Sequence, residues 1–223
     1  MNRRLIEQRI FPDYTKGEEI FNMVSHIVGA VFAAAILVIC IAAAVIHGKP
    51  WALFSAIVYG VSLLLMFTVS SVYHGLNKNV GKIVMRIIDH CDIYLTIAGT
   101  YTPVLLVSLR PVHPKLAWII LGIEWGTALF AVILNAIDLE KFENFSFACY
   151  IVMGWCVVIS LKQVMEVLGK GGFLWMLAGG IAYTVGAALY LIGRKRRYAH
   201  SIFHIFVVIG AVLQFFSIVF YVL

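Results

Sequence analysis

Charge is scarce in this chain of 223 residues: only 13% are Asp, Glu, Lys or Arg. An ordinary soluble domain carries roughly 25%. That shortage, with 62% hydrophobic residues and a mean hydropathy of +0.97, excludes a soluble globular enzyme, a disordered protein and a nucleic-acid-binding domain. Cysteine is also sparse. Cys40, Cys91, Cys149 and Cys156 lie in apolar runs without paired spacing, which excludes a disulfide framework or a Cys-x-x-Cys metal site and leaves buried small hydrophobes. Low-complexity tracts and internal repeats are absent. The net charge of +6 is therefore not read as affinity for nucleic acid. In a membrane protein, surplus Lys and Arg mark cytoplasmic loops.

What is abundant is long apolar runs. A helix needs about 20 such residues to cross a bilayer. Seven runs meet this, at 22–46, 52–75, 84–108, 116–134, 145–161, 173–192 and 201–222. Short segments bearing polar residues, Pro or Gly divide them, such as HGKPW (47–51), GLNKNVGK (75–82) and RPVHPK (110–115). The expected fold is all-α, an integral membrane bundle of seven transmembrane helices, with a short arm at 1–21 and one domain at 22–223. The first run is too long for a signal-peptide core and no cleavage site follows it, so it is read as a mature helix. With the N-terminus in the cytoplasm, twelve Lys and Arg fall on the inner side: Arg3, Arg4, Arg9, Lys16, Lys78, Lys82, Arg86, Lys141, Arg194, Lys195, Arg196 and Arg197. Five fall outside: Lys49, Arg110, Lys115, Lys162 and Lys170. This bias predicts a cytoplasmic N-terminus and an outer C-terminus, in the cytoplasmic membrane.

Under that topology the polar residues within the spans collect at one depth. Ionisable groups inside a membrane are costly and mark function or structural pairs. His26 lies one turn into the first span, Ser70 and His74 close the second, Asp89, His90 and Asp92 open the third, and His200 and His204 open the seventh. HSIFH (200–204) sets two imidazoles at i and i+4, on one helical face and able to share a metal. Ser70 places a hydroxyl one turn from a third imidazole, His74. Three neutral histidines and a water make a common catalytic zinc arrangement, and imidazole-rich ligands favour Zn2+ over magnesium or calcium. Asp89 then holds the bound water or orients a ligand histidine. The bland alternative is that these histidines only hydrogen-bond to Ser and Thr on neighbouring helices.

Other polar positions carry less. Glu124, mid-span in LGIEWG, is either neutral or faces a cavity, with a proton relay as the sharper alternative. His90 lies about 100° round the helix from Asp89 and is expected to face elsewhere. Asp92, at i+3, stands nearer the Asp89 face as a supporting group. His47 and His113 are solvated loop residues. Gly179, Gly180, Ala182 and Gly186 form a small-residue packing face, and Trp51, Trp118 and Tyr198 anchor span ends at the interface.

Four segments together resemble a known family. EEIFNMVSH (18–26) is similar to an E-x-x-N-x-x-[ST]-H motif, with Glu19, Asn22 and His26 in its fixed positions. SSVYH (70–74), DHCDIYLTIAGTYTP (89–103) and HSIFH (200–204) supply the others. Their order and placement resemble the hemolysin III family, the prokaryotic-type branch of the progestin and adipoQ receptor family, related to alkaline ceramidases. The resemblance covers the chain from about Lys16 to its end. It implies a seven-helix bundle with a cytoplasmic N-terminus, and zinc on His74, His200 and His204 with Asp89 and Ser70 beside its water. It implies supporting roles for Glu19, Asn22 and His26. It also implies ceramidase-like hydrolysis of lipid amides or esters, or a part in membrane lipid and fluidity homeostasis, with membrane lipids as partners. A non-enzymatic sensor with structural zinc is the alternative, and a pore-forming hemolysin is a third reading that no face-to-face polar stripe supports. Hormone reception is not expected.

Overall fold

The computed structural model describes residue 12 and residues 14–193 and 195–223. Most of the arm at 1–21, with Arg3, Arg4 and Arg9, lies outside the described residues, as does Arg194. Everything described is helix joined by short turns.

α1 runs from Lys16 to His47, starting six residues before the apolar run read from sequence. The reason is local. The Thr15 hydroxyl accepts the Glu18 N–H at 3.2 Å, and the Glu18 carboxylate accepts the Thr15 N–H at 2.8 Å. This reciprocal cap fixes the first turn, and Glu18 and Glu19 lie where the helix dipole favours negative charge. The buried face of α1 reads Glu18, Asn22, His26, Gly29, Ala33, Ile36, Cys40, Ala44, a stripe at helical spacing that is polar for its first turns and small or apolar thereafter. Gly48 ends the helix in the left-handed conformation, at φ 61°.

α2 spans Ala52–Gly75 and α3 spans Val80–Pro103, the latter capped by the Asn79 side chain. Beyond Pro103 the chain continues as a π-helical stretch, Val104–Leu109, and a last turn, Arg110–Val112. α4 covers Pro114–Asp138 and α5 covers Glu143–Gly154. A 3-10 segment, Cys156–Ser160, leads into α6, Leu161–Gly193, whose helical path breaks at Gly169 (φ 63°, ψ 176°). α7, Ala199–Tyr221, closes the described chain.

Among the described residues six helical stretches are long and apolar enough to cross a membrane. One of them, Glu143–Gly193, runs to 51 residues and contains both the 3-10 segment and the Gly169 break. The apolar runs at 145–161 and 173–192 both fall inside it. The outer surface is apolar as a lipid-facing surface must be: Val31, Val38, Ile46, Ile137, Val152 and Ile159 are all well exposed.

Neighbours in sequence pack as neighbours in space, α1 on α2, α2 on α3, α3 on α4 and α6 on α7, while α7 returns against α1. α1 and α2 approach closely where a Cβ at Gly60 would stand 2.8 Å from the Leu37 Cα. α6 and α7 do the same at Gly179, whose position faces Gln214, and at Gly186, which faces Phe203 and Phe206. Gly180, expected on that face, has open space around it instead. The main core joins α1, α2, α6 and α7 through residues such as Ile36, Tyr59, Leu63, Phe67 and Val207. Smaller clusters join α3 to α4 and to the 3-10 segment. At one end Lys49 Nζ donates to the Val222 carbonyl at 2.9 Å. At the other, α1, α2 and α7 meet around histidines.

Candidate metal centre

Three helices deliver four imidazoles to one place. His74 comes from the last turn of α2, His200 and His204 from the first turns of α7, and His26 from the third turn of α1. All four are buried. His200 Nε2 and His204 Nε2 face each other at 3.1 Å, and the ligating atoms of His74, His200 and His204 lie within 4.8 Å of one another. Tetrahedral zinc with bonds of about 2.0–2.1 Å needs roughly 3.4 Å between its nitrogens. The trio is therefore within a small contraction of that geometry.

The charges around His74 decide which nitrogen is offered. Its Nδ1 lies 2.6 Å from Glu19 Oε2. The other Glu19 oxygen lies 2.8 Å from Lys82 Nζ. Lys82 is itself buried and donates its remaining protons to the Tyr73 and Leu76 carbonyls, each at 3.0 Å. An ammonium has three donors and all three are used. Glu19 is thus an ionised acceptor. Against it His74 Nδ1 carries the proton and Nε2 keeps the lone pair, the tautomer a metal ligand requires. His74 Nε2 and His204 Nδ1 are buried and have no hydrogen-bond partner among the described residues. Buried polar atoms are normally satisfied, so the orphaned His74 Nε2 fits an ion among the three rings.

Glu19 therefore stands where the sequence reading offered Asp89, as the carboxylate that orients a histidine. It stands on α1, facing the last turn of α2, whereas Asp89 stands on α3. Asp89 is half-buried; the Ser70 hydroxyl is its hydrogen-bond partner, with Arg86 nearby as an opposite charge and Asp92 as a like one. Ser70 is buried one turn before His74, so the Ser70–Asp89 pair adjoins the histidines without belonging to the trio. Asp92 is buried with one oxygen unpartnered. The His90 Nδ1 meets the Arg86 carbonyl at 2.8 Å.

His26 and Asn22 lie on the same face of α1 as Glu19 and Glu18. The His26 ring centroid is 3.9 Å from that of His204, and neither ring nitrogen has a hydrogen-bond partner among the described residues; nor has either polar atom of the Asn22 amide. From the chain just before α1, Tyr14 stacks on His200, ring centroids 4.8 Å apart, and reaches His74 at 5.8 Å. Burial holds its phenol protonated, well above the ordinary tyrosine range. Glu18 ties the same segment to α7 by accepting the Tyr198 N–H at 2.7 Å.

Sequence reasoning missed two of these residues. Lys82 counted only as an inner-side charge, although a cation in the first turn of a helix opposes the helix dipole and so asks for a partner. Tyr14 gave no signal, because its contact spans the distance from the arm to α7.

The family model described as "Haemolysin-III related" matches residues 14–215. The chain belongs to the haemolysin III family. The match takes in the whole centre, from Tyr14 to His204. The chain is 40% identical to Hemolysin-3 of Bacillus cereus over 206 residues, covering 92% of each protein. It is 36% identical to the Hemolysin-3 homolog of Bacillus subtilis (strain 168) over 208 residues, covering 93% of this chain and 96% of the relative. A more distant similarity, 26% over 176 residues, links it to the human Monocyte to macrophage differentiation factor, with 75% and 70% of the two chains covered. As a haemolysin III protein with six long apolar helical stretches, it is an integral, multi-pass membrane protein.

Proposed function

We propose that this haemolysin III protein is a zinc-dependent hydrolase of lipid amides or esters, embedded in the cytoplasmic membrane and acting in membrane lipid or fluidity homeostasis. The observation that carries the reading is the trio of buried imidazoles, with the His74 lone pair fixed by Glu19 and aimed at no other group. His74, His200 and His204 would hold the ion. Zinc bound there supplies a Lewis acid that polarises a carbonyl and acidifies water near neutral pH. Asp89 takes a proton from the attacking water and returns it to the departing amine or alcohol, with the Ser70 hydroxyl holding its carboxylate in place. The lipid enters sideways through the apolar surface.

Seven crossings with a cytoplasmic N-terminus complete the proposal. Gly169 divides the 51-residue stretch into two parts, each long enough for a hydrocarbon core of about 30 Å, and the surplus of Lys and Arg on one side supports the orientation.

The first test is metal content by mass spectrometry on purified protein. We expect near-stoichiometric zinc in the wild type and loss of it in His200→Ala/His204→Ala. A metal-free wild type, purified without chelator, overturns the reading. The second test is turnover on lipid amides and esters: Asp89→Ala should keep zinc and lose hydrolysis, and wild-type turnover in that variant removes Asp89 from the chemistry.

One observation favours a second reading, a membrane-state sensor with structural zinc. The Lys82–Glu19–His74 chain already ties α1, α2 and α3 together, and an ion on the trio would add α7. Metal binding would then serve as folding free energy. If His204→Ala melts like the wild type with and without chelator, the clamp fails. A pore gains nothing from the histidine cluster, which lies at one end of the bundle rather than running from face to face.

A further inference from the structure

A second polar position lies away from the histidines, in the middle of α4. Glu124 is fully buried, and the donor that faces its carboxyl group is a weak one, the Cys156 thiol; neither oxygen has a nitrogen or oxygen partner among the described residues. A lone buried carboxyl is expensive, and an apolar residue would fill the same space without that penalty. Two backbone irregularities converge on it. The π-helical stretch Val104–Leu109 and the 3-10 segment Cys156–Ser160 pack with α4 in one cluster containing Leu105, Ile120 and Cys156. Helical irregularities of this kind recur at functional sites, and at membrane depth they persist where they line a cavity. A crevice is present. It is lined by Thr100, Tyr101, Gly154, Trp155 and Val157, among others, and is wide enough for water.

Tyr101 lines the crevice and lies near the acid. Its hydroxyl donates to the Gly154 carbonyl at 3.0 Å and accepts the Val157 N–H at 3.0 Å, bridging the turn between α5 and the 3-10 segment. The titratable groups that face Glu124 from the elements packed on α4 are Tyr101, from α3, and the Cys156 thiol, from the 3-10 segment. Neither is a cation, and neither offers an ionised Glu124 a counter-charge.

We propose that Glu124 is an intramembrane proton-binding site that exchanges its proton with the crevice by way of Tyr101. In one state the carboxyl O–H is intact and the acid is neutral. In the other the O–H bond has broken heterolytically, the proton has passed along the Tyr101 hydroxyl to water in the crevice, and the carboxylate remains. Nothing else is oxidised, reduced or transferred. The site is separate from the histidine centre, so it stands whether or not that centre holds zinc.

The test uses the full chain in lipid nanodiscs. Infrared difference spectra are taken as pH is raised from about 5 to about 9, a range that spans ordinary and raised carboxyl values. We expect loss of a protonated-carboxyl C=O band that is absent in Glu124→Gln and retained in Asp89→Asn and Asp92→Asn. A Glu124→Gln spectrum identical to wild type overturns the proposal. Should Glu124→Gln fail to fold, labelling of the wild type with the apolar reagent dicyclohexylcarbodiimide decides. An adduct mapped to Glu124 that declines as pH rises, relative to a model carboxylic acid in the same vesicles, supports exchange. No adduct, or one that tracks the model acid, overturns it. Tyr101→Phe should keep the band and slow its loss after a pH jump; an unchanged rate removes Tyr101 from the path.

Discussion

The end of the bundle that carries the histidines and the middle of α4 both bury ionisable groups, but by opposite means. At the histidine end each charge has an answer. Lys82 reaches Glu19 and two carbonyls, Glu19 reaches Lys82 and His74, and what remains unsatisfied among the described residues includes ring nitrogens of His26, His74 and His204 and the Asn22 amide. In α4 a single acid is buried with only the Cys156 thiol and the Tyr101 phenol as titratable neighbours among the described residues. The first arrangement holds its charges by pairing them. The second has no counter-charge facing it. A membrane protein can thus hold a carboxylate by pairing it or by protonating it, and the neighbours show which.

Breaking the pairing should have the largest effect. Lys82→Ala leaves the Glu19 carboxylate buried without a cation, and loss of one partner of a buried pair costs about 3–5 kcal/mol. A steep fall in melting temperature is expected, with partial recovery in Lys82→Met/Glu19→Gln, where both charges are gone. No recovery in the double variant would mean that packing, not charge, holds this end together. Glu19→Gln alone leaves Lys82 its two carbonyls but no counter-charge, and it also acts on His74. The amide no longer fixes the His74 tautomer as firmly, and zinc affinity should fall about 10–100-fold, as for other groups that orient metal ligands. A competition titration with a fluorescent chelator reads this directly. The smallest effect should come from Glu124→Gln. Its amide matches the neutral acid in shape, so the melting temperature below neutral pH should move within the range of ordinary surface changes, about 0.5 kcal/mol. A collapse there would show that Glu124 is structurally paired after all.

Much of this was readable before any coordinates. Helices of the right length follow from unbroken apolar runs, and the i, i+4 spacing of His200 and His204 dictates a shared face. The grouping of His74 with them follows from topology, because α2 ends and α7 begins at the same side. What sequence could not supply was the pairing across helices. Glu19 was singled out by its motif alone, and nothing in that motif names Lys82, sixty-odd residues away, as its counter-charge. The start of α1 was misplaced for a related reason: the polar residues Lys16–Glu19 carry no apolar signal, and the cap at Thr15 decides instead. The segment from Lys162 to Gly172 reads as a loop because it is polar, yet most of it is helical. Its Lys, Gln and Glu are good helix formers, and the chain departs from the helix only at Gly169.

Tyr14 lies flat on His200 and closes over His74. Its consequence is one of rates. An ion seated among the three imidazoles sits behind an aromatic shutter that belongs to the chain's own leading segment, latched to α7 through Glu18 and Tyr198. A water-soluble chelator can then strip that ion no faster than the shutter lifts, so removal should reach a plateau as chelator concentration rises, and trimming the ring to Tyr14→Ala should abolish the plateau.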